Sequence, residues 1–359
     1  MPSPTPAQRK QLLIDVLKGV SRSFYLTLRI LPKAIGEQIA VAYLLARAAD
    51  TLADTTVLAP QKRIECLTLF REQLISGEST QALRSIQSQL TGKLQNPAEQ
   101  RLLELMPSLF TLFSSQSAPD QAMIRQVVLR LTEGMVFDLH AFPSEESGRL
   151  QALDSVAQLD KYTYLVAGCV GEFWTEISIA HTPQLQAWDK DKRSPLGIQF
   201  GKGLQMTNIL RDLPRDLRIG RCYLPREWLQ AHGLELEMLL GRNNAAKVRP
   251  LFEQAIRLAL QHFSAAEQYL LELPQQCIRL RLAALWPLLI GLATLQKLAA
   301  SNDYLDKDVV IKVSRGWVYR MILRSLCVSG SNDKLRQWIA REVAEVEAGI
   351  HCAEKNISP

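Results

Sequence analysis

Two stretches of the chain carry pairs of aspartates at helical spacing. Between Val41 and Asp54, the polar residues Tyr43, Arg47, Asp50 and Asp54 lie at i, i+4, i+7 and i+11, so they share one face of a helix. Their neighbours are Ala, Leu and Val, which indicates an enclosed setting where like charges repel unless a cation lies between them. For a single pair of aspartates four apart, an ordinary solvated face remains the alternative.

A second polar stripe favours a functional role for these aspartates over a chance spacing. Gln205, Asn208, Asp212 and Asp216 lie at i, i+3, i+7 and i+11. Mg²⁺ prefers oxygen ligands and usually binds through one or two carboxylates together with substrate phosphate oxygens. We therefore expect the four aspartates to face one cavity and to hold a metal-bound diphosphate. Nearby arginines are candidate donors to the remaining phosphate oxygens, namely Arg47, Arg211, Arg215, Arg218 and Arg221.

The elements that hold these stripes are predicted to be helices. Apolar residues recur with a period of 3.6 nearly everywhere, and no segment alternates strictly between turn signals, which predicts an all-α protein. Thr5, Pro6 and Gln8 suit the start of a first helix. Further helices are expected near residues 35–56, 60–75, 97–114, 118–141, 151–181, 185–218, 246–272, 276–300, 304–328 and 331–354. The Pro-rich N-terminus predicts a disordered tail over 1–8. Because the connections between the helices are short and polar, we predict a single domain over 9–359.

Composition excludes several classes of protein. The 359 residues are 47% hydrophobic with 42 Lys and Arg against 36 Asp and Glu, which excludes disordered and fibrous chains. Scattered cations argue against nucleic acid, and widely spaced Cys and His argue against zinc and favour a reducing, cytoplasmic setting. The longest uncharged apolar run, Leu282–Leu295, has 14 residues where a membrane span needs about 20, so it is predicted to be a buried core helix.

Several separated motifs together resemble the squalene and phytoene synthase family of head-to-head prenyl transferases. They occur in the family's order along most of the chain: Ser21-Arg-Ser-Phe24, Ala46–Asp54, Tyr162–Gly171, Gln205–Asp216 followed by Gly220–Pro225, and Val310–Gly316. The resemblance implies a single all-α terpenoid-synthase bundle around one large central cavity.

The resemblance also implies roles for individual residues. Asp50, Asp54, Asp212 and Asp216 would hold Mg²⁺, and Tyr162 would be the central catalytic tyrosine, acting either as a base or as a cation stabiliser. The implied substrate-binding residues are Ser21, Arg22, Ser23, Phe24, Tyr43, Arg47, Gln205, Asn208, Arg211 and Arg221. Asn208, Lys312 and Arg315 would bind NADPH, although Ser314 stands where another basic residue is usual. Close helix packing by Gly168 and Gly171 is the alternative explanation of the segment around Tyr162.

The activity implied is a squalene synthase. Such an enzyme condenses two farnesyl diphosphates to presqualene diphosphate and reduces this with NADPH to squalene, within sterol or hopanoid biosynthesis. A phytoene or dehydrosqualene synthase shares the condensation without the reductant, and Gly134–Leu139 and Tyr223–Pro225 resemble that branch. A catalytically silent helical scaffold is the remaining alternative. The sequence predicts a monomer with no transmembrane anchor, so that any membrane contact is peripheral.

Overall fold

The structure, a computed structural model, describes residues 5–21, 24–77, 80–142 and 145–357. About 80% of the chain is helical, and the described residues contain only two very short strands, so the all-α prediction is confirmed. The chain forms two compact units, each described here by itself. The first comprises residues 1–139 and 173–186, and the second comprises residues 140–172 and 187–359. The expected single domain over 9–359 stays a prediction.

The first unit is built around one long helix, α4. Thr5 caps its neighbour α1 with the predicted capping box to Gln8, so this helix begins inside the expected tail. Helix α4 buries Ile35, Leu44 and Leu52 and packs against α5, α7 and α8. The helices are α1 (Pro6–Lys10), a π-helical turn (Gln11–Val16), α2 (Leu17–Ser21), α3 (Phe24–Ile30), α4 (Lys33–Asp54), α5 (Pro60–Ser76), α6 (Thr80–Leu90), α7 (Pro97–Glu104), α8 (Met106–Ser114) and α9 (Ala118–Ala141).

The second unit contains the longest helices. Strands β1 (Gln151–Ala152) and β2 (Arg221–Cys222) pair in parallel, with Gln151 opposite Arg221. The α-helices are α10 (Val156–Thr163), α11 (Cys169–His181, which continues into the first unit), α12 (Lys190–Arg218), α13 (Arg226–Ala231), α14 (Ala245–Glu272), α15 (Ile278–Ala300), α16 (Arg315–Val328) and α17 (Asn332–Ile357). A π-helical segment, Tyr164–Gly168, joins α10 to α11. Short 3₁₀ turns cover Glu145–Ser147, Pro183–Leu185, Leu236–Leu240 and Arg242–Asn244.

Some predicted helix boundaries differ from the observed ones. The helix expected near 97–114 is divided at Leu105, because Pro107 at the start of α8 cannot continue the hydrogen bonding of α7. The helix expected near 304–328 begins only at Arg315, after the β-branched run Val309–Val313, and Ser314 caps it. Pro214 lies inside α12, between Asp212 and Asp216, and the helix continues beyond it to Arg218.

Helix α15 is the apolar core helix that the sequence predicted. By length and composition it could cross a membrane, yet 78% of its most apolar window is buried inside the protein. The fully buried guanidinium of Arg281 lies near its start and donates to the carbonyls of Leu273 and Ser329 and to the Asn332 side chain. This one cation therefore satisfies acceptors where α14 and α16 end and where α17 begins.

Helix α12 packs closely against the segment Ala167–Gly171, and glycines lie at the points of contact. A Cβ atom added at Gly171 would clash with the backbone carbonyl of Gly197, and one added at Gly201 would clash with the carbonyl of Ala167. Both neighbours are backbone atoms, which cannot rotate away as a side chain would. Close helix packing, one of the two explanations offered for this segment, is thus present in the structure.

We expect Gly201→Ala to lower the free energy of unfolding by about 1–3 kcal/mol, because the added methyl group overpacks a backbone contact. Urea unfolding followed by circular dichroism measures the difference. Gly316→Ala is the matched control, since a Cβ there meets no atom within 4 Å and alanine favours a helix. Equal unfolding midpoints for Gly201→Ala and the unmodified protein would contradict the backbone contact.

Candidate functional site

The first aspartate stripe lies along α4 in the first unit. The hydroxyl of Tyr43 donates to the carbonyl of Val20 at 3.1 Å. The guanidinium of Arg47 donates to Asp50 and, at 2.5 Å, to Glu99 of α7. Tyr43, Arg47 and Asp50 are half-buried and Asp54 is exposed, whereas most residues between them are buried. The stripe is therefore a polar face on an otherwise apolar helix, open to solvent at the Asp54 end.

The charges of this stripe are incompletely balanced. Burial, followed by repulsion from Asp54, raises the pKa of Asp50 to about 7, and the attraction of Arg47 does not offset both. Burial by itself would lower the pKa of Arg47, but Asp50 and Glu99 together raise it. The Nε–H of Arg47 is buried and has no hydrogen-bond partner among the described residues. A cation beside the aspartates and an anionic oxygen at Arg47 would satisfy both groups.

The second stripe lies along α12 in the second unit. Gln205, Asn208, Asp212 and Asp216 are all partly exposed, while Met206, Thr207, Ile209, Leu210 and Leu213 between them are buried. The amide of Asn208 donates to Gln205 at 3.4 Å. Arg211 holds Asp212 with two hydrogen bonds of 2.9 and 2.5 Å, and its pKa is raised chiefly by these bonds. The four polar residues therefore lie on one face of α12.

Two further predicted arginines near this stripe, Arg218 and Arg221, have partners in the second unit, while Arg215 is exposed. Arg221 of β2 is largely buried and pairs with Glu145 at 3.4 Å. Arg218 is exposed and donates to the carbonyl of Leu240 at 2.8 Å. Arg218 therefore anchors the turn after α13, while Arg221 joins β2 to the turn before β1.

Tyr162 lies at the end of α10 in an aromatic cluster. Its ring stacks on that of Tyr223, with centroids 4.7 Å apart and planes 19° apart, and Tyr223 meets Phe142 edge-on at 5.0 Å. The π-helical segment begins two residues later, and the hydroxyl of Tyr164 within it donates to Glu172 at 3.0 Å. Such π-helical turns often mark functional sites. The surroundings of Tyr162 are apolar and rich in π-electrons, which suits a passing cation.

The remaining predicted residues do not belong to the two stripes, and the side chains of some of them are not described. Ser21 is buried, and its hydroxyl donates to the carbonyl of Leu17 at 2.5 Å. Arg22 and Ser23 lie outside the described residues, and Phe24 begins α3 without a described side chain. Lys312 and Arg315 are exposed at the start of α16, where Ser314 accepts from the backbone N–H of Trp317. The Ser314 hydroxyl thus caps the helix.

The structure also brings in residues that the sequence analysis did not single out. Glu99 reaches Arg47 from α7, and the Asn96 amide holds it at 2.9 Å. The run Asn96-Pro-Ala-Glu99 signals a helix start, but nothing in it indicates the distant arginine. Among the described residues, no group of three or more His, Cys, Asp or Glu side chains forms a metal site.

A polar cluster that contains a buried lysine and an exposed aspartate joins α10, α12 and α14. Lys202 is 6% exposed, and its ammonium donates to Asp160 at 2.5 Å. His262 hydrogen-bonds through Nδ1 to Gln199 at 2.5 Å. Burial, followed by the nearby charge of Lys202, lowers the pKa of His262 to about 4. The sequence carries one signal for this cluster, the position of Lys202 between Gly201 and Gly203.

The comparisons with known proteins agree with this fold and these motifs. The family model described as squalene/phytoene synthase matches residues 17–317. A squalene synthase of Yarrowia lipolytica is 26% identical over 94% of this chain and 71% of its own length. A bifunctional lycopene cyclase/phytoene synthase of Pyrenophora tritici-repentis is 28% identical over 73% of this chain and 42% of its own. The solved structure of TcSQS with the ligand BPH1237 superposes with a TM-score of 0.77 at 20% identity, covering 98% of both chains.

The fold is therefore the all-α, terpenoid-synthase-like fold, which defines the class of protein. Within that class the chain belongs to the squalene/phytoene synthase family, and it is a prenyltransferase-type enzyme of isoprenoid biosynthesis.

The lowered pKa of His262 predicts a pH dependence of stability. Between pH 6.5 and 4 the unfolded chain binds a proton that the folded protein does not, so the free energy of unfolding falls as pH is lowered through this window. One such group contributes a slope of at most about 1.4 kcal/mol per pH unit. Urea unfolding at several pH values should show a shallower slope in His262→Gln, which keeps a donor for Gln199. An unchanged slope would contradict the burial of a neutral histidine.

Proposed function

We propose that this protein is a Mg²⁺-dependent squalene synthase. It condenses two farnesyl diphosphates to presqualene diphosphate, with loss of one diphosphate and one proton. It then reduces presqualene diphosphate with NADPH to squalene, with loss of the second diphosphate. The observation that carries the proposal is the presence of a DxxxD polar face on each of two otherwise apolar helices, α4 and α12, each with an arginine bonded to an aspartate. Such faces suit an ionising diphosphate better than a silent helical scaffold.

Asp50 and Asp54 would hold the metal on one stripe, and Asp212 and Asp216 would hold it on the other. When bound, Mg²⁺ supplies positive charge to the diphosphate oxygens and so stabilises the leaving group. The raised pKa of Asp50 supports the fit, because its causes are burial and an adjacent carboxylate, both of which a cation offsets.

The arginines of the two stripes bind and orient the diphosphates. The buried Nε–H of Arg47 is directed to a phosphate oxygen, while its other nitrogens are held by Asp50 and Glu99. Arg211 supplies the same kind of charge beside Asp212. As the carbon–oxygen bond ionises, negative charge accumulates on the diphosphate, and these charge-assisted hydrogen bonds strengthen. They therefore stabilise the transition state more than the substrate.

Tyr162 acts on the carbon framework. Its stacked position against Tyr223 excludes water and presents π-electrons in an apolar region, where a carbocation needs protection from hydrolysis. Its hydroxyl is the candidate acceptor of the proton lost in the condensation. Ser21, Tyr43, Gln205, Asn208 and Arg221 complete the proposed substrate contacts, with Arg22, Ser23 and Phe24 assigned on the resemblance of their motif.

The NADPH phosphates are assigned to Lys312 and Arg315. Both cations are exposed at the N-terminal end of α16, where the helix dipole also favours anions. Asn208 is the candidate partner of the nicotinamide amide. NADPH supplies the hydride of the second half-reaction when it is bound.

A phytoene or dehydrosqualene synthase is the second candidate. It is supported by the similarity to the Pyrenophora phytoene synthase, which is 28% identical but reaches only 73% of this chain. The alignment with the Yarrowia squalene synthase reaches 94%. The greater length shared with a squalene synthase favours the reductive activity.

We expect Asp50→Asn and Asp212→Asn each to lower kcat by about 10²-fold or more, because each removes a charged metal ligand. Diphosphate release from farnesyl diphosphate at several Mg²⁺ concentrations is the measurement. Asp333→Asn is the control, since the Asp333 side chain is 85% exposed on α17. Near-normal turnover in either variant would overturn the metal assignment.

Product analysis with and without NADPH separates the two candidates. The unmodified enzyme should make squalene with NADPH and accumulate presqualene diphosphate without it. The double variant Lys312→Ala/Arg315→Ala should form presqualene diphosphate within about twofold of normal and lose at least about tenfold in squalene formation, since two phosphate contacts are removed. Phytoene or dehydrosqualene as the product with abundant NADPH would make the non-reductive candidate correct.

A further inference from the structure

Helix α16 has two apolar faces, and the protein covers only one of them. Met321 and Ser325 are buried, and the indole N–H of Trp286 on α15 donates to the Ser325 hydroxyl at 2.9 Å. On a different face, Tyr319, Leu323 and Leu326 are 67%, 69% and 55% exposed. Their spacing of i, i+4 and i+7 places them in one continuous stripe over two turns. A surface helix of a globular protein normally turns polar residues to solvent, so this stripe requires a partner.

The charge around this stripe is of one sign. The 24 residues from 309 to 332 contain four cations, Lys312, Arg315, Arg320 and Arg324, and no carboxylate. Arg324 is held over the ring of Trp338, 4.1 Å from its centroid. Arg320 is exposed beside the apolar stripe, and Val310, 71% exposed, precedes the helix. Burial raises the pKa of Glu342 on α17 and the charge of Arg324 opposes that rise, so Arg324 has a carboxylate neighbour. The surface therefore combines exposed apolar side chains with the positive charge of Arg320.

We propose that the exposed face of α16, formed by Tyr319, Arg320, Leu323 and Leu326, docks on the surface of an anionic lipid bilayer. Leucines and an aromatic residue flanked by arginines are the composition of helices that lie in the membrane interface. Tyrosine and arginine suit this depth because each has an apolar body and a polar end. The positive charge is complementary to anionic headgroups.

A second copy of the chain fits this face less well. A symmetric dimer through α16 would bring the same cationic surface from both subunits together, with no carboxylate in residues 309–332 to compensate. The chemistry of the product adds a reason that rests on the proposed function. A C30 hydrocarbon is insoluble in water, and an enzyme seated on a bilayer can release it directly into lipid.

The test measures binding and needs no activity. The full chain is mixed with vesicles of phosphatidylcholine alone or with phosphatidylglycerol added, and the bound fraction is measured by co-sedimentation. We expect binding to the anionic vesicles that weakens with salt. Leu323→Gln/Leu326→Gln should lower the partition coefficient at least about tenfold, because two apolar side chains no longer enter the interface. Arg320→Gln should lower it about fivefold, the effect expected of one cation at an anionic surface.

Two control variants match these changes in chemistry and exposure. Ile75→Gln replaces a side chain that is 60% exposed on α5, and Arg149→Gln removes one exposed positive charge outside α16. Both should bind as the unmodified protein does, and circular dichroism should show all variants folded, since every substituted residue is exposed.

Three results would overturn the proposal. The first is no binding of the unmodified protein to anionic vesicles, and the second is equal loss in the controls and the α16 variants. The third is a dimer in solution that Leu323→Gln/Leu326→Gln converts to a monomer while vesicle binding is unchanged. If vesicle binding requires α16 but the enzyme makes no prenyl product, the docking face stands and the proposed function fails.

Discussion

The contact between α12 and the segment Ala167–Gly171 is the constraint on which the second unit depends. The two backbones meet at Gly171 and Gly201 with no space for a side chain. One side of α12 packs in this contact and another packs on α14. The rotation of the helix about its own axis is therefore fixed. The polar stripe that starts at Gln205, one turn beyond Gly201, consequently continues along the same face of α12 as this contact. The same contact holds the π-helical segment that follows Tyr162.

Electrostatic balance distinguishes the two aspartate stripes. Arg211 donates to Asp212 through Nε and Nη2, which forms a bidentate ion pair. Arg47 instead divides its donors between Asp50 and Glu99, and burial together with Asp54 still raises the pKa of Asp50. In the first stripe, an added cation would relieve the repulsion between Asp50 and Asp54. Glu99 contributes by holding Arg47 in place from a different helix.

Helix α16 concentrates two proposed interactions on one cationic segment. Lys312 and Arg315 stand at its beginning, where the helix dipole adds to their charge, and the exposed apolar residues start a turn later at Tyr319. Arg315 and Leu326 are 11 residue steps apart, which is about 16 Å along a helix, so a nucleotide phosphate and a lipid surface need not occupy the same place. The segment 309–332, which contains no carboxylate, suits both the nucleotide phosphate and the lipid surface because each of these partners is anionic.

The sequence by itself determined the helical class, the composition of both stripes and the family motifs. The helical class and the two stripes follow from local periodicity, because residues three, four and seven apart share a helical face whatever the rest of the chain does. The family motifs follow instead from resemblance to known sequences. The sequence also identified α15 as a core helix, from an apolar run too short and interrupted to span a membrane. The division at Leu105 and the late start of α16 were missed, since helix ends depend on caps and proline positions.

Tertiary structure alone decided which distant residues complete each site. Glu99 lies 52 residues from Arg47, and Asp160 lies 42 residues from Lys202. No periodic pattern connects such pairs, because their contact depends on how α7 packs on α4 and how α10 packs on α12. The low pKa of His262 and the raised pKa of Asp50 likewise arise from burial, which a sequence does not report. The sequence of α16 did not show which of its two apolar faces the protein covers. Both faces have the same helical period, and only the packing of one face against α15 distinguishes them.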